Sequence, residues 1–283
     1  MIFTFIFTEG YTKDLLKLAL RYRMRAKKSY GQHFLRNEQI TEDIANSLVF
    51  KGPERNVLEI GPGKGMLTKY LLAMPFQFKA VEADPDMVAH LETNYPEIQD
   101  KIIFYDFMKL DLSELFEGED FSIIGNFPYN ISSQILFRML EVKERVPELV
   151  GMFQKEVAER IASGPGSKVY GVISVLMQAY YKCTYLFEVD RMEFDPPPKV
   201  QSAVIRLERR DNQTLDCNPK LFKAIVKQSF GQRRKMLRNT MKAYINGDPF
   251  LEDDFFKRRP EELSVEEFVW LTQKIEELRT DEK

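Results

Sequence analysis

A chain of 283 residues, 44% hydrophobic and 12% aromatic, can bury a full core and is long enough for one large unit and a smaller one. Its formal charge of -2 does not exclude a nucleic-acid partner, because basic residues crowd positions 21–28 and 233–238, and local fields govern the encounter with phosphates. Two distant cysteines, Cys183 and Cys217, and two histidines, His33 and His90, give no C-x-x-C spacing and no ligand pair, which argues against a disulfide framework or a metal-dependent reaction and places the chain in a reducing cytoplasm.

The opening MIFTFIFTEG has no basic segment ahead of its short apolar run and meets Glu9 before any cleavage site, so it does not read as a signal peptide. No later run has the apolar length of a membrane span. Met24 is followed directly by RAKKSYGQHFL; the natural start is expected at Met24, with residues 1–24 an extension. From about residue 57 to residue 210, β-rich runs alternate with helix-like segments, the pattern of an α/β sheet covered on both faces. The predicted strands are NVLEI, FKAVEA, KIIFY, FSIIGN, LVGMFQ, YLFEV and SAVIRL, with helices between them such as 66–73 and 85–95. EFDPPPK joins the last two strands and is too short for a helical crossover, which predicts an antiparallel final pair. Beyond residue 210 only helix signals remain: Asn218 and Pro219 suit an N-cap and first position, and Ser264 with Glu267 forms a capping box. The expected division is thus a sheet domain over 25–210 and a small helical domain over 211–283. No heptad demands a dimer, and a monomer is expected.

The chemistry is expected at the strand ends. NVLEI runs into GPGKG, where Gly61, Gly63 and Gly65 make the sharp turn that brings backbone N–H groups close to a cofactor. Such a turn is shared by folds that bind NAD, FAD and S-adenosylmethionine. About twenty residues later the second strand ends at Glu82, with Asp84 just beyond, where a carboxylate can take up ribose hydroxyls. The third ends at Asp106, placed to accept from an adenine amino group. The fourth ends in GNFPYNIS, the most specific signal in the chain. An exocyclic adenine nitrogen is a poor nucleophile, because its lone pair is delocalised into the ring. The Asn126 side-chain carbonyl and the Pro128 main-chain carbonyl could each accept one of its N–H groups and favour a pyramidal nitrogen, without a strong base. Tyr129 would stack on the base, and Pro128 makes the turn rigid.

These motifs, together with GQHFL at 31–35, FQKEVAER at 153–160, FDPPPKVQS at 194–202 and SFGQRRKMLRN in the helical region, resemble the small-subunit rRNA adenine N6-dimethyltransferases from Arg25 to the C-terminus. The resemblance implies a class I S-adenosylmethionine-dependent methyltransferase sheet and a helical domain that engages RNA. It implies that His33, Leu35, Gly61, Glu82, Asp106 and Asn126 contact S-adenosylmethionine, with Asn126, Pro128 and Tyr129 catalytic. Phe194 resembles a second aromatic residue that sandwiches the target base. Arg233, Arg234 and Lys235, with Arg238, are implied to touch rRNA phosphates, and Arg25, Lys27 and Lys28 form a second basic patch. Phe127 stands where relatives often have Leu. The implied substrate is a pair of adjacent adenosines near the 3′ end of small-subunit rRNA, within a subunit or assembly intermediate. The rival readings are the large-subunit methyltransferases of macrolide resistance, against which PPPKV and the RRK helix argue, DNA adenine methyltransferases, which lack the linked GQHFL and PPPKV motifs, and assembly or transcription factors that act mainly by binding.

Overall fold

The computed structural model describes residues 26–27, 30–49 and 55–281. The extension expected over 1–24, with Arg25 and Lys28, lies outside the described residues. In chain order the elements are Phe34–Leu35 (β1), Glu38–Asn46 (α1), Asn56–Ile60 (β2), Thr68–Leu72 (α2), Gln77–Glu82 (β3), Pro85–Asn94 (α3), Ile102–Phe104 (β4), Phe121–Asn126 (β5), Ser132–Glu141 (α4), Glu148–Gln154 (β6), Lys155–Ala162 (α5), Val172–Gln178 (α6), Tyr181–Val189 (β7), Phe194–Asp195 (β8) and Ser202–Arg209 (β9). Three further α-helices follow: Pro219–Gly231 (α7), Leu237–Ile245 (α8) and Val265–Asp281 (α9).

All seven predicted strands form one sheet, in the order β4-β3-β2-β5-β6-β9-β7. The five from β4 to β6 run parallel, and β9 pairs antiparallel with both β6 and β7. Central strands of such a sheet are covered on both faces and are mostly apolar, which is why NVLEI and FSIIGN carry no strict alternation. Every residue of β2 is buried. The strand order reverses at β2, between β3 and β5, so the crevice at their C-terminal ends is where such a sheet binds a ligand.

A second, two-stranded ribbon pairs β1 with β8: Phe34 stands opposite Asp195, and Leu35 opposite Phe194. It ties the GQHFL segment to the Pro-rich segment on top of the sheet. Beyond β9, Asn218 caps α7 by accepting N–H groups from Lys220 and Leu221 at 2.9 and 3.2 Å. The Ser264–Glu267 box forms in both directions, at 2.8 and 3.2 Å, ahead of α9. One continuous apolar cluster takes in Ile205 and Leu207 of β9, Val175 of α6, Phe222 of α7 and Phe268 of α9, so these helices share the core of the sheet.

Candidate functional site

At the switch point Gly61, Gly63 and Gly65 all have positive φ, at 68°, 55° and 82°, the left-handed region open to glycine. The Phe34 ring lies over the turn, 3.1 Å from where a Gly63 Cβ would stand. Glu82 clamps the turn from the next strand: Gly63 donates its N–H to Oε2 at 3.1 Å, while Ala83 and Asp84 donate to Oε1 at 2.9 Å each. Burial pushes the Glu82 carboxyl above the usual carboxylate range, against the pull of these three backbone donors. Glu82, Tyr105, Asp106 and Phe107 line a solvent-open hollow of about 1350 Å³. It adjoins a second hollow lined by His33, Leu35, Glu59, Asn126 and Tyr129, the two sharing Gly61 and Pro128. Asp106 is partly exposed, and its Oδ1 accepts the Met108 N–H at 2.9 Å.

The two carboxylates at the end of β3 have separate tasks. Asp84 is fully buried, caps α3, and takes Lys27 Nζ at 2.6 Å and Gln32 Nε2 at 3.0 Å. Lys27 also reaches Asp86 at 2.7 Å. The basic patch expected around Lys27 is corrected at that residue: its ammonium latches the N-terminal segment to α3, because two adjacent carboxylates outcompete solvent for it.

Glu59 is a buried carboxyl inside a largely apolar strand, with its Oε2 accepting the Thr68 hydroxyl at 2.8 Å. Burial, reinforced by Glu82 and opposed by the Thr68 hydroxyl, pushes its carboxyl up to about 8. The folded chain therefore holds a proton that the unfolded chain releases above about pH 4.3, so Glu59 costs stability increasingly as pH rises from there to about 8, and no further beyond. Glu59→Gln should melt close to wild type near the lower limit and above it at the upper. A constant difference across that window would refute the assignment.

Asn126 ends β5 with its amide oriented: Nδ2 donates to the His33 carbonyl at 3.0 Å, which leaves Oδ1 as the free acceptor. The Pro128 carbonyl accepts the Ile131 N–H at 3.1 Å, and its second lone pair remains. The Tyr129 ring stacks on His33, with centroids 5.5 Å apart and planes at 29°. His33 is held in turn through Nδ1 by the Pro196 carbonyl at 2.8 Å. Behind this loop Phe127 is buried and meets Phe153 edge-on at 5.2 Å. It fills a notch made by Gly125 and Gly151, which face each other across β5 and β6. Sequence reasoning missed Gly151; a glycine inside a predicted strand is the signal that marks such a close approach.

Two expectations change. Phe194 is fully buried, packed in an apolar cluster with Leu35, Val189 and Val204, because its place on the β1–β8 ribbon turns it into the core. In this structure its ring is covered. Leu35 is also buried, though it borders the crevice. In the basic cluster Arg234 and Lys235 are exposed, but Arg233 donates to the Ser167 carbonyl at 3.1 Å and lies 3.7 Å from Glu261, and Arg238 lies 3.8 Å from Glu252.

A family model described as ribosomal RNA adenine dimethylase matches residues 23–253. The chain belongs to that family. Among its dimethylase relatives, the "Ribosomal RNA small subunit methyltransferase A" of Flavobacterium johnsoniae is 53% identical, over 90% of this chain and 97% of its own length. The protein of the same name from Bacteroides thetaiotaomicron is also 53% identical, over 90% of this chain and 95% of its own. A solved dimethyladenosine transferase from Plasmodium falciparum superposes with a TM-score of 0.75 at 25% identity, covering 87% of this chain and 98% of the other. The 23S rRNA methyltransferase ErmE shares the fold, with a TM-score of 0.63 at 23% identity over 85% and 99% of the two chains. The dimethylase sheet is that of a class I methyltransferase, and its cofactor is S-adenosylmethionine. The residues present fit it: a glycine cradle that a Cβ would crowd, a carboxylate at Glu82 for a ribose diol, and Asp106 beside the apolar wall of Phe107 for an adenine.

Proposed function

We propose that this chain dimethylates the N6 amines of two adjacent adenosines near the 3′ end of small-subunit rRNA, acting as a monomeric cytoplasmic enzyme on a subunit or assembly intermediate and contributing to its maturation. The observation that carries this reading is the Asn126 amide, held through its Nδ2 by the His33 carbonyl in a crevice that Pro128 and Tyr129 also line. The names of the relatives, with about half of all residues identical, support the small subunit as the target.

S-adenosylmethionine, when bound, supplies an electrophilic methyl group. The chain supplies the rest. Glu82 and Asp106 orient the cofactor, and the glycine turn lets the backbone approach it. A target base stacks on the face of Tyr129 opposite His33. The Asn126 and Pro128 carbonyls accept the two N–H groups of the amine, so its lone pair points along the transfer direction and positive charge developing on nitrogen meets preorganised dipoles. The methylated nitrogen, acidified by transfer, then gives up its proton to solvent water in the open crevice. For the second methyl, the monomethyl amine turns and keeps one of the two acceptors.

The deciding experiment is methyl transfer to small subunits lacking the modification, followed by rRNA digestion and mapping by mass spectrometry. Dimethyladenosine at two adjacent positions near the 3′ end establishes the reading. Transfer only to large-subunit rRNA replaces it with the resistance-type activity; binding without transfer replaces it with an assembly factor. In the helical region Arg234 and Lys235 are the residues that meet phosphates, and Arg233 braces the loop at Ser167. Changing Arg234 and Lys235 to Ala should weaken subunit binding and flatten the salt slope by about one for each phosphate no longer neutralised, with an unchanged melting temperature. Arg233→Ala should lower the melting temperature instead.

A further inference from the structure

The Tyr129 ring is held by a residue that belongs neither to the glycine turn nor to the catalytic loop. Its hydroxyl shares a hydrogen bond with the Ser202 hydroxyl. Ser202 is fully buried and is the first residue of β9, in register with Gln154 of β6 on one side and Val189 of β7 on the other. Two antiparallel ladders therefore fix its Cα, so its hydroxyl is an anchor in the rigid part of the sheet. At the other end of the tyrosine, the main-chain carbonyl accepts the Ser132 hydroxyl at 3.3 Å, and the ring leans on His33. Stacking on His33 sets the plane of the ring, which leaves the swing of the ring about its Cα–Cβ bond to be settled, and the bond at its tip settles it. A side chain set within a few tenths of an ångström by such support keeps reacting atoms aligned.

We propose that Ser202 is a positioning residue for methyl transfer, its hydroxyl fixing where the Tyr129 ring stands against the target base. The inference rests on the reading of Tyr129 as the base platform. Its strongest consequence concerns the second transfer. A monomethylated amine is bulkier and must re-enter in one of two rotamers, so a platform free to tilt loses alignment for that step first.

The test compares wild type, Ser202→Ala, Tyr129→Phe and the double variant on unmodified small subunits, reading single-turnover rate, the ratio of monomethyl to dimethyl product, S-adenosylmethionine affinity by calorimetry and melting temperature. Each single variant should lose about tenfold in rate and accumulate monomethyladenosine, with cofactor affinity little changed. The double variant should be no worse than either single one, since both remove the same bond. Losses that multiply in the double variant, or a wild-type product ratio in Ser202→Ala, overturn the proposal. If Ser202→Ala folds poorly, Tyr129→Phe breaks the bond from the other side, and a normal product ratio there overturns it equally. Absence of any transfer by wild type would instead bring down the reading of the site itself.

Discussion

Asn126→Ala should lower the rate of methyl transfer by about a thousandfold, the loss typical of removing a preorganised dipole from a developing charge, while the protein folds and still binds S-adenosylmethionine. The reason lies in the direction of the amide. Its Nδ2 is committed to the His33 carbonyl, so the amide is oriented before substrate arrives. Asn126→Asp is the sharper variant. It keeps an acceptor but sets a carboxylate against the His33 carbonyl, two acceptors with no proton between them, and should lose nearly as much activity as Ala. Single-turnover transfer with saturating cofactor is the measurement, and an Asp variant of wild-type rate would show that the His33 contact is dispensable. If the Ala variant fully restored subunit maturation in cells, binding alone would suffice for that role.

Gly151→Ala should destabilise the fold by about 2–3 kcal/mol, a drop of roughly 5–10 °C in melting temperature. A Cβ at this position would stand far inside contact distance of the Phe127 ring. Phe127 cannot retreat, because Phe153 lies against it and Gly125 allows its ring no more room on the other strand. The strain would be relieved by pushing the catalytic loop outward, so activity should fall more than stability alone explains. Phe127→Leu in the same chain should recover much of both losses by vacating the notch. If the double variant were no better than Gly151→Ala, the notch would not be what holds the loop.

Much of the sheet could be read from the sequence because buried parallel strands are short, mostly apolar runs, and NVLEI and FSIIGN end where the runs end. Asn126, Pro128 and Tyr129 were readable as a group because they are adjacent in sequence and share one chemistry. What escaped depends on partners distant along the chain. Two-residue strands carry no periodicity, so the β1–β8 ribbon left no trace, and with it went the fact that Phe194 turns inward. Arg233 looks like its exposed neighbours until Ser167 and Glu261 are found beside it. Glu82 and Asp84 are two residues apart and chemically alike, but only the fold gives one to the crevice and the other to Lys27.

The β1–β8 ribbon also sets a timetable. Its two strands flank nearly the whole sheet in sequence, and His33 needs Pro196 to hold its ring. As the chain emerges during synthesis, the glycine turn and the NFPY loop are made well before β8 exists, so the pocket is left without its roof until most of the sheet has left the exit tunnel. Until that segment is made, the Pro196 carbonyl that holds the His33 ring is missing, and with it one support of the residue that orients Asn126. Completion of the pocket therefore comes late in synthesis, when the segment that carries Pro196 has emerged.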